Sequence, residues 1–462
     1  MASLQSLPYE IIFRICEELC FHCRAKLATS SVSQIQPDWQ LNIARRALLS
    51  LANSCRRLHW VAQPILYHYI SPDTPEAVSL LRSLSSNFNL RQHIKVLCIQ
   101  FECDYGQAER LGRRGIEFLE QLIRDNSAGF DKSWLPANLA VLDAGESQYD
   151  DGRIGSFVLE SLLRLQTVMI ALLIAFSPSV ESLFVQAPLQ PLPTLGSNCL
   201  AKLTELSFSH NDPQGGTSTD YFRSIFMAAP RLDIIRGCML SDANLIPHEA
   251  VRTLFLTKSG ISRHGLETLM SSFPRLETFI YQSGGPLISY DEATPAEISV
   301  ALLLRRDTLR NVEIRLHRDY EIEYFIDENE GDVYGSLKQM QVLQTLQVDA
   351  FAFCLPAQMD DYDGQGYLSY DNGPPRSDNI LIDFLPTSIE KIIFVPPATH
   401  FQNALLRLAH RCKTIFPKLR EIGVWNLEKD PQEELKTAFS TADVTVRGAP
   451  VNLELIDDSR WD

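Results

Sequence analysis

One pattern recurs along most of this chain: an apolar residue, two others, a second apolar residue, one other, and a third. It reads Ile94/Leu97/Ile99, Leu139/Leu142/Ala144, Val180/Leu183/Val185 and Leu203/Leu206/Phe208, then Leu232/Ile235 with Gly237 at the third place. It continues as Val251/Leu254/Leu256, Leu276/Phe279/Tyr281, Leu309/Val312/Ile314, Leu343/Leu346/Val348, Ile389/Ile392/Phe394 and Leu419/Ile422/Val424. Residues two apart on a strand point to the same side. Each late pair, such as Leu206 and Phe208, therefore faces one core, and the residue three earlier closes the turn into the strand. Helical stretches ending near a proline precede several of these strands, as in YFRSIFMAAPRL, HGLETLMSSFPRL and ALLRLAHRCKTIFPKL. Helix, turn and short strand in repetition predict parallel strands stacked in chain order, with helices on one side. An ordinary α/β domain with a single open parallel sheet is the alternative.

This pattern resembles a leucine-rich repeat over roughly residues 90–430, although the starts lie 19 to 46 residues apart against a usual spacing of about 20–29. The asparagine that normally follows the last apolar position is clear only at Asn211, so the turns must satisfy their backbone groups in another way. In such a stack the alternate strand residues face outward and form the partner-binding face. The candidates for a protein substrate are Phe184, Phe255, Ile280, Arg315, Asp349, Val395 and Trp425. The segments 319–332 and 356–380 read as long loops, the first with seven acidic residues in fourteen.

The first seventy residues differ in charge from the rest. They carry seven basic and four acidic residues, a net of +3, while the chain as a whole stands at -15. Pro8 suits a helix start, and Ile11, Ile12, Ile15 and Leu19 then form one apolar stripe at helical spacing. A second helix is expected from about Asn42 to Ser54, and a third carries Leu58, Val61, Ala62, Ile65 and Leu66, with Pro64 inside it. LPYEIIFRICEEL followed by LLSLANSCRRLHWVAQPILYHYI resembles an F-box of the fungal type. The match lies at Leu7, Pro8, Glu10, Ile11, Ile15, Leu19, Leu48, Leu49, Leu51, Cys55 and Arg56. The connection over residues 20–43 is longer than usual, and Ala47 and Ser54 depart from the family pattern. The resemblance implies that Leu7, Pro8, Ile11, Ile12, Ile15, Leu19, Leu48, Leu49, Leu51 and Cys55 hold a SKP-family adaptor, which links the chain to a cullin ligase scaffold. The expected fold is α/β. A three-helix F-box domain (1–70) precedes an irregular leucine-rich-repeat solenoid (71–462), with parallel strands inside and helices outside. The expected function is substrate recognition for an SCF-type ubiquitin ligase. A repeat scaffold that binds a partner without a ligase is the alternative.

Composition narrows the remaining classes. With 462 residues, 45% hydrophobic and 21% charged, the chain can bury a large core, and a net charge of -15 disfavours general nucleic-acid or anionic-membrane binding. The most apolar run, residues 167–176, is shorter than the ~20 needed to cross a bilayer. The N-terminal stretch has no basic flank of a secretory signal. A cytoplasmic or nuclear location with reduced thiols is expected. Cys20-x-x-Cys23, with Cys16 and His22 nearby, is the only CxxC. A structural zinc takes four ligands and no second pair follows, so no metal and no cofactor are expected. No Walker loop, nucleophile elbow, zincin or dinucleotide motif occurs, and no catalytic residues are assigned.

Overall fold

The structure is a computed structural model, and it describes residues 4–27, 38–72, 74–101, 105–125, 152–186, 190–209, 216–284, 292–316, 333–353, 377–395, 401–424 and 429–447. The chain forms two compact units. One comprises Met1–Asn211 and Asp220–Leu232, and the other Asp212–Thr219 and Asp233–Asp462.

The first unit opens with four helices: α1 (Tyr9–Glu18), α2 (Phe21–Leu27), α3 (Asp38–Ser54) and α4 (Arg56–Leu66). Pro8 is the N-cap of α1, one place earlier than the first turn, and its carbonyl accepts from Ile11 and Ile12 N–H. The expected three helices are present, with α2 added in the long connection. Pro64 lies in the last turn of α4. Ile12 and Cys16 of α1 meet Leu48 and Ala52 of α3 and Leu58, Val61, Ala62 and Ile65 of α4 in one closed core. Four parallel strands follow, β1 (Tyr69–Ile70), β2 (Val96–Ile99), β3 (Ser182–Gln186) and β4 (Glu205–Ser209). The module expected over residues 1–70 thus belongs to the same unit as the first repeats.

The second unit holds eight strands: β5 (Ile234–Cys238), β6 (Thr253–Thr257), β7 (Thr278–Gln282), β8 (Asn311–Arg315), β9 (Thr345–Asp349), β10 (Lys391–Val395), β11 (Glu421–Val424) and β12 (Thr445–Arg447). Each pairs in parallel with the next. Parallel neighbours need a crossover. Helices supply it at Arg263–Ser272, Pro295–Leu303, Gln402–Ile415 and Lys429–Ser440; the first two pack on one another, as do the last two. Local sequence starts them. Ser262 caps the first through Gly265 N–H, and Thr294 with Glu297 makes a reciprocal capping box ahead of Pro295. A short separate pair joins Thr217–Ser218 to Leu240–Asp242.

Ten of the eleven hexads fall on strands or on the turns that enter them, and their apolar members are at most 5% exposed. The hexad at Leu139/Leu142/Ala144 lies outside the described residues, as do most of the two long loops and the C-terminal tail. The first apolar residue does close the entering turn. Leu203, Leu232, Leu276 and Leu419 each donate N–H to the carbonyl three residues earlier.

A backbone ladder ties each repeat to the next at the entrance to its strand. The carbonyl just ahead of each strand accepts from two successive N–H groups of the next repeat. In the first unit His68 accepts from Lys95 and Val96, Lys95 from Glu181 and Ser182, and Glu181 from Thr204 and Glu205. In the second, Asp233, Arg252, Glu277, Arg310, Gln344 and Glu390 repeat the arrangement, and Arg420 ends it on Thr445. These bonds measure 2.7–3.3 Å. Buried backbone groups must be paired, and here each repeat pairs those of its neighbour chiefly through main-chain groups, with the Thr204 hydroxyl also donating to the Glu181 carbonyl.

Candidate functional site

Three constellations bear chemistry or recognition: the surface of the N-terminal helices, the outward face of the strands, and a cysteine–histidine cluster.

On the helices, the apolar stripe divides between inside and outside. Ile12 and Leu48, expected to hold a partner, are 1% and 4% exposed and lie within the helical core. They cannot touch another protein, which corrects their assignment. An amphipathic helix gives its most central positions to its own module first. Leu7, Leu19, Leu51 and Cys55 are partly buried against that core, and Ile15 is half-buried. Pro8 is exposed, and Ile11 and Leu49 remain 47% and 48% exposed. Leu4, Tyr9, Ile43 and Trp60 are exposed as well. Six of the eleven exposed large apolar side chains among the described residues therefore fall within the first sixty positions.

The outward face of the second unit is in register across its strands. Arg236, Phe255, Ile280, Glu313, Gln347, Ile393 and Gly423 occupy successive places in one row. The Arg236 guanidinium lies 3.9 Å from the Phe255 ring centroid. A Cβ on Gly423 would meet the Ile393 side chain at 3.2 Å, so the row is tight at that end. Arg315 pairs with Glu313 at 2.6 Å, and Gln347 donates to Glu313 at 3.2 Å. Phe255, Ile280, Arg315 and Val395 are half-buried.

Two residues expected to face a partner, one in each unit, are not available to it. Asp349 is 4% exposed, and its carboxylate accepts from Leu316 N–H. Phe184, in the first unit, is 6% exposed and packs against Val96, Cys98 and Tyr69. Every residue of β4 is buried, including outward-pointing Ser207 and Ser209. Both faces of the sheet are covered there, an outcome that alternation along a strand does not reveal. Trp425 lies outside the described residues.

The third constellation overturns the expectation that the CxxC lacks further ligands. Cys20 stands just ahead of α2, and His22 and Cys23 lie in its first turn. His68 sits at the entrance to β1. Cys23 Sγ is 3.4 Å from His68 Nδ1 and 3.8 Å from His22 Nδ1, and Cys20 Sγ is 3.8 Å from His68 Nδ1. The four ligand atoms all lie within 4.8 Å of one another. Cys20 and His22 are buried, Cys23 and His68 half-buried. The two thiols share a hydrogen bond, which holds Cys20 below its ordinary value and, together with burial, pushes Cys23 up to about 11. His22 turns its other nitrogen inward. Nε2 is buried without a hydrogen-bond partner, 3.6 Å from Glu181 Oε2, and Lys95 holds the other carboxylate oxygen at 3.3 Å. Sequence reasoning missed His68 because it lies 45 residues from Cys23 and belongs to no pair. The Cys-x-His-Cys run was the visible half of the signal.

No family model matches the chain, and no curated protein matches its sequence. Among the described residues, no helix is long and apolar enough to cross a membrane.

Proposed function

We propose that this protein is a substrate receptor of an SCF-type cullin–RING ubiquitin ligase, working in the cytoplasm or nucleus. The N-terminal helices bind a SKP-family adaptor, and the outward strand face of the repeats binds a target protein. The observation that carries this reading is the concentration of exposed apolar side chains on a small, positively charged helical module whose core is already closed. Exposed apolar surface of that kind marks interaction sites. Pro8, Ile11 and Leu49 hold the adaptor, flanked by the half-buried Leu7, Ile15, Leu19, Leu51 and Cys55. Phe255, Ile280, Arg315 and Val395 contribute to the target face. The chain performs no covalent step. It raises the concentration of a target beside a ubiquitin-charged enzyme, which is catalysis by tethering.

Co-expression with a SKP-family adaptor and cullin, followed by affinity purification of the full chain, tests this. A stoichiometric complex that is lost on changing Ile11 and Leu49 to Asp supports the proposal. A folded chain that captures no adaptor refutes it. That outcome favours the second reading, a repeat scaffold without a ligase, to which the inward turn of Ile12 and Leu48 lends weight.

A further inference from the structure

We infer that Cys20, His22, Cys23 and His68 form a structural zinc site. Two sulfurs and two imidazole nitrogens are the donor set of a closed tetrahedral zinc centre. With bond lengths of about 2.3 Å to sulfur and 2.0–2.1 Å to nitrogen, the edges of such a tetrahedron measure roughly 3.3–3.8 Å. The measured sulfur–nitrogen separations of 3.4, 3.8 and 3.8 Å fall in that window before any metal draws the atoms together. A metal displaces two protons, one from each thiol, and the resulting Cys₂His₂ centre is neutral. A closed neutral centre suits a half-buried place far better than a bare cation does.

A second observation is independent of these four atoms. Ligating histidines turn their free ring nitrogen towards a carboxylate. With Nδ1 on the metal, His22 presents Nε2 to Glu181 at 3.6 Å, and this buried nitrogen has no hydrogen-bond partner. A shift of about half an ångström closes that bond and makes a carboxylate–histidine–zinc series. Lys95 already fixes the far side of the carboxylate.

The placement also gives the metal a task. Cys20, His22 and Cys23 belong to the long connection between α1 and α3, whereas His68 starts the repeat ladder through its carbonyl. Glu181 carries a later rung of the same ladder. Zinc at this point ties the helical module to the first strands of its own unit.

The test is metal analysis of the full chain expressed with zinc and purified under reductant. One zinc per chain by plasma mass spectrometry is expected, and His68→Ala should abolish it. Cobalt(II) added to the metal-free chain should give the visible bands of a tetrahedral thiolate site. His68→Cys, which keeps four ligands, should retain those bands and intensify the thiolate charge-transfer absorption. Glu181→Gln should weaken metal affinity by about 10- to 100-fold, and Cys55→Ala, outside the cluster, should leave it unchanged. Wild-type protein without zinc, an octahedral cobalt spectrum, or tetrahedral binding that survives His68→Ala would overturn the inference. So would a Cys20–Cys23 disulfide in the intact mass of metal-free protein that rejects cobalt after reduction. If His68→Ala does not fold, the wild-type zinc content and the cobalt spectrum decide the matter alone.

Discussion

Truncating Ile11 and Leu49 to Ala separates the surface of the helical module from its core, and the size of the effect follows from exposure. Complete burial of an isoleucine or leucine side chain is worth about 1.5–3 kcal/mol. Ile11 is 47% and Leu49 48% exposed, so roughly half of that remains to be gained when a partner covers each, about 0.7–1.5 kcal/mol apiece. The double variant should lose about 1.5–3 kcal/mol of adaptor binding, a rise in Kd of roughly 10- to 150-fold. Its folding stability should fall by no more than about 1.5–3 kcal/mol, the share of the two side chains that the module already covers. Ile12→Ala is the converse. At 1% exposure it opens a cavity in the core and should cost about 2–5 kcal/mol of folding stability, with adaptor affinity changed only through the unfolded fraction. Titration calorimetry against a purified adaptor gives the first quantity and urea unfolding the second. An unchanged Kd in the Ile11/Leu49 double variant, with both proteins folded, refutes the assignment of this surface. A large loss of stability in that variant refutes the division into inside and outside.

Three further outcomes follow from particular contacts. Ser259 is fully buried; its hydroxyl accepts from Leu240 N–H at 3.1 Å and donates to the Thr257 carbonyl at 2.8 Å. Ser259→Ala strands that amide and should cost about 1–3 kcal/mol in denaturant unfolding; a neutral result shows that the contact contributes nothing. Arg236 over Phe255 should show a coupling of about 0.5–1 kcal/mol in a double-mutant cycle with Ala at each position, and strictly additive losses contradict the stacking. Burial pushes the Glu292 carboxyl from its ordinary 4.5 up to about 6. At Glu292 the folded chain then holds its proton to higher pH than the unfolded one, so this group's contribution to stability is fully present below pH 4.5 and is lost as pH rises through about 6. Glu292→Gln should flatten this part of the stability–pH curve, measured by thermal unfolding at matched ionic strength; an unaltered slope assigns the titration to another group.

The strands were legible because their signal is local. In every described hexad the residues that alternate along the chain also alternate across the sheet, and burial of one face is the strongest term in strand placement. The helices of the first seventy residues were readable for the same reason, through the spacing of Ile11, Ile12, Ile15 and Leu19. The division of labour within that stripe was not. Ile11 and Ile12 are neighbours of equal hydrophobicity, and only the position of α3 and α4 decides that Ile12 is enclosed while Ile11 meets solvent.

The same boundary separates the rest. Periodicity alone determined a parallel arrangement of strand and helix in chain order, since a short-range pattern of apolar residues needs no knowledge of distant neighbours. Tertiary structure decided which outward residues are covered, as at Phe184, Asp349 and the whole of β4. It also tied successive strand entrances together through a ladder of backbone carbonyls. Above all it brought His68 to Cys20, His22 and Cys23, because a ligand set assembled across the chain is a property of how α2 and the entrance to β1 pack, not of any spacing in the sequence.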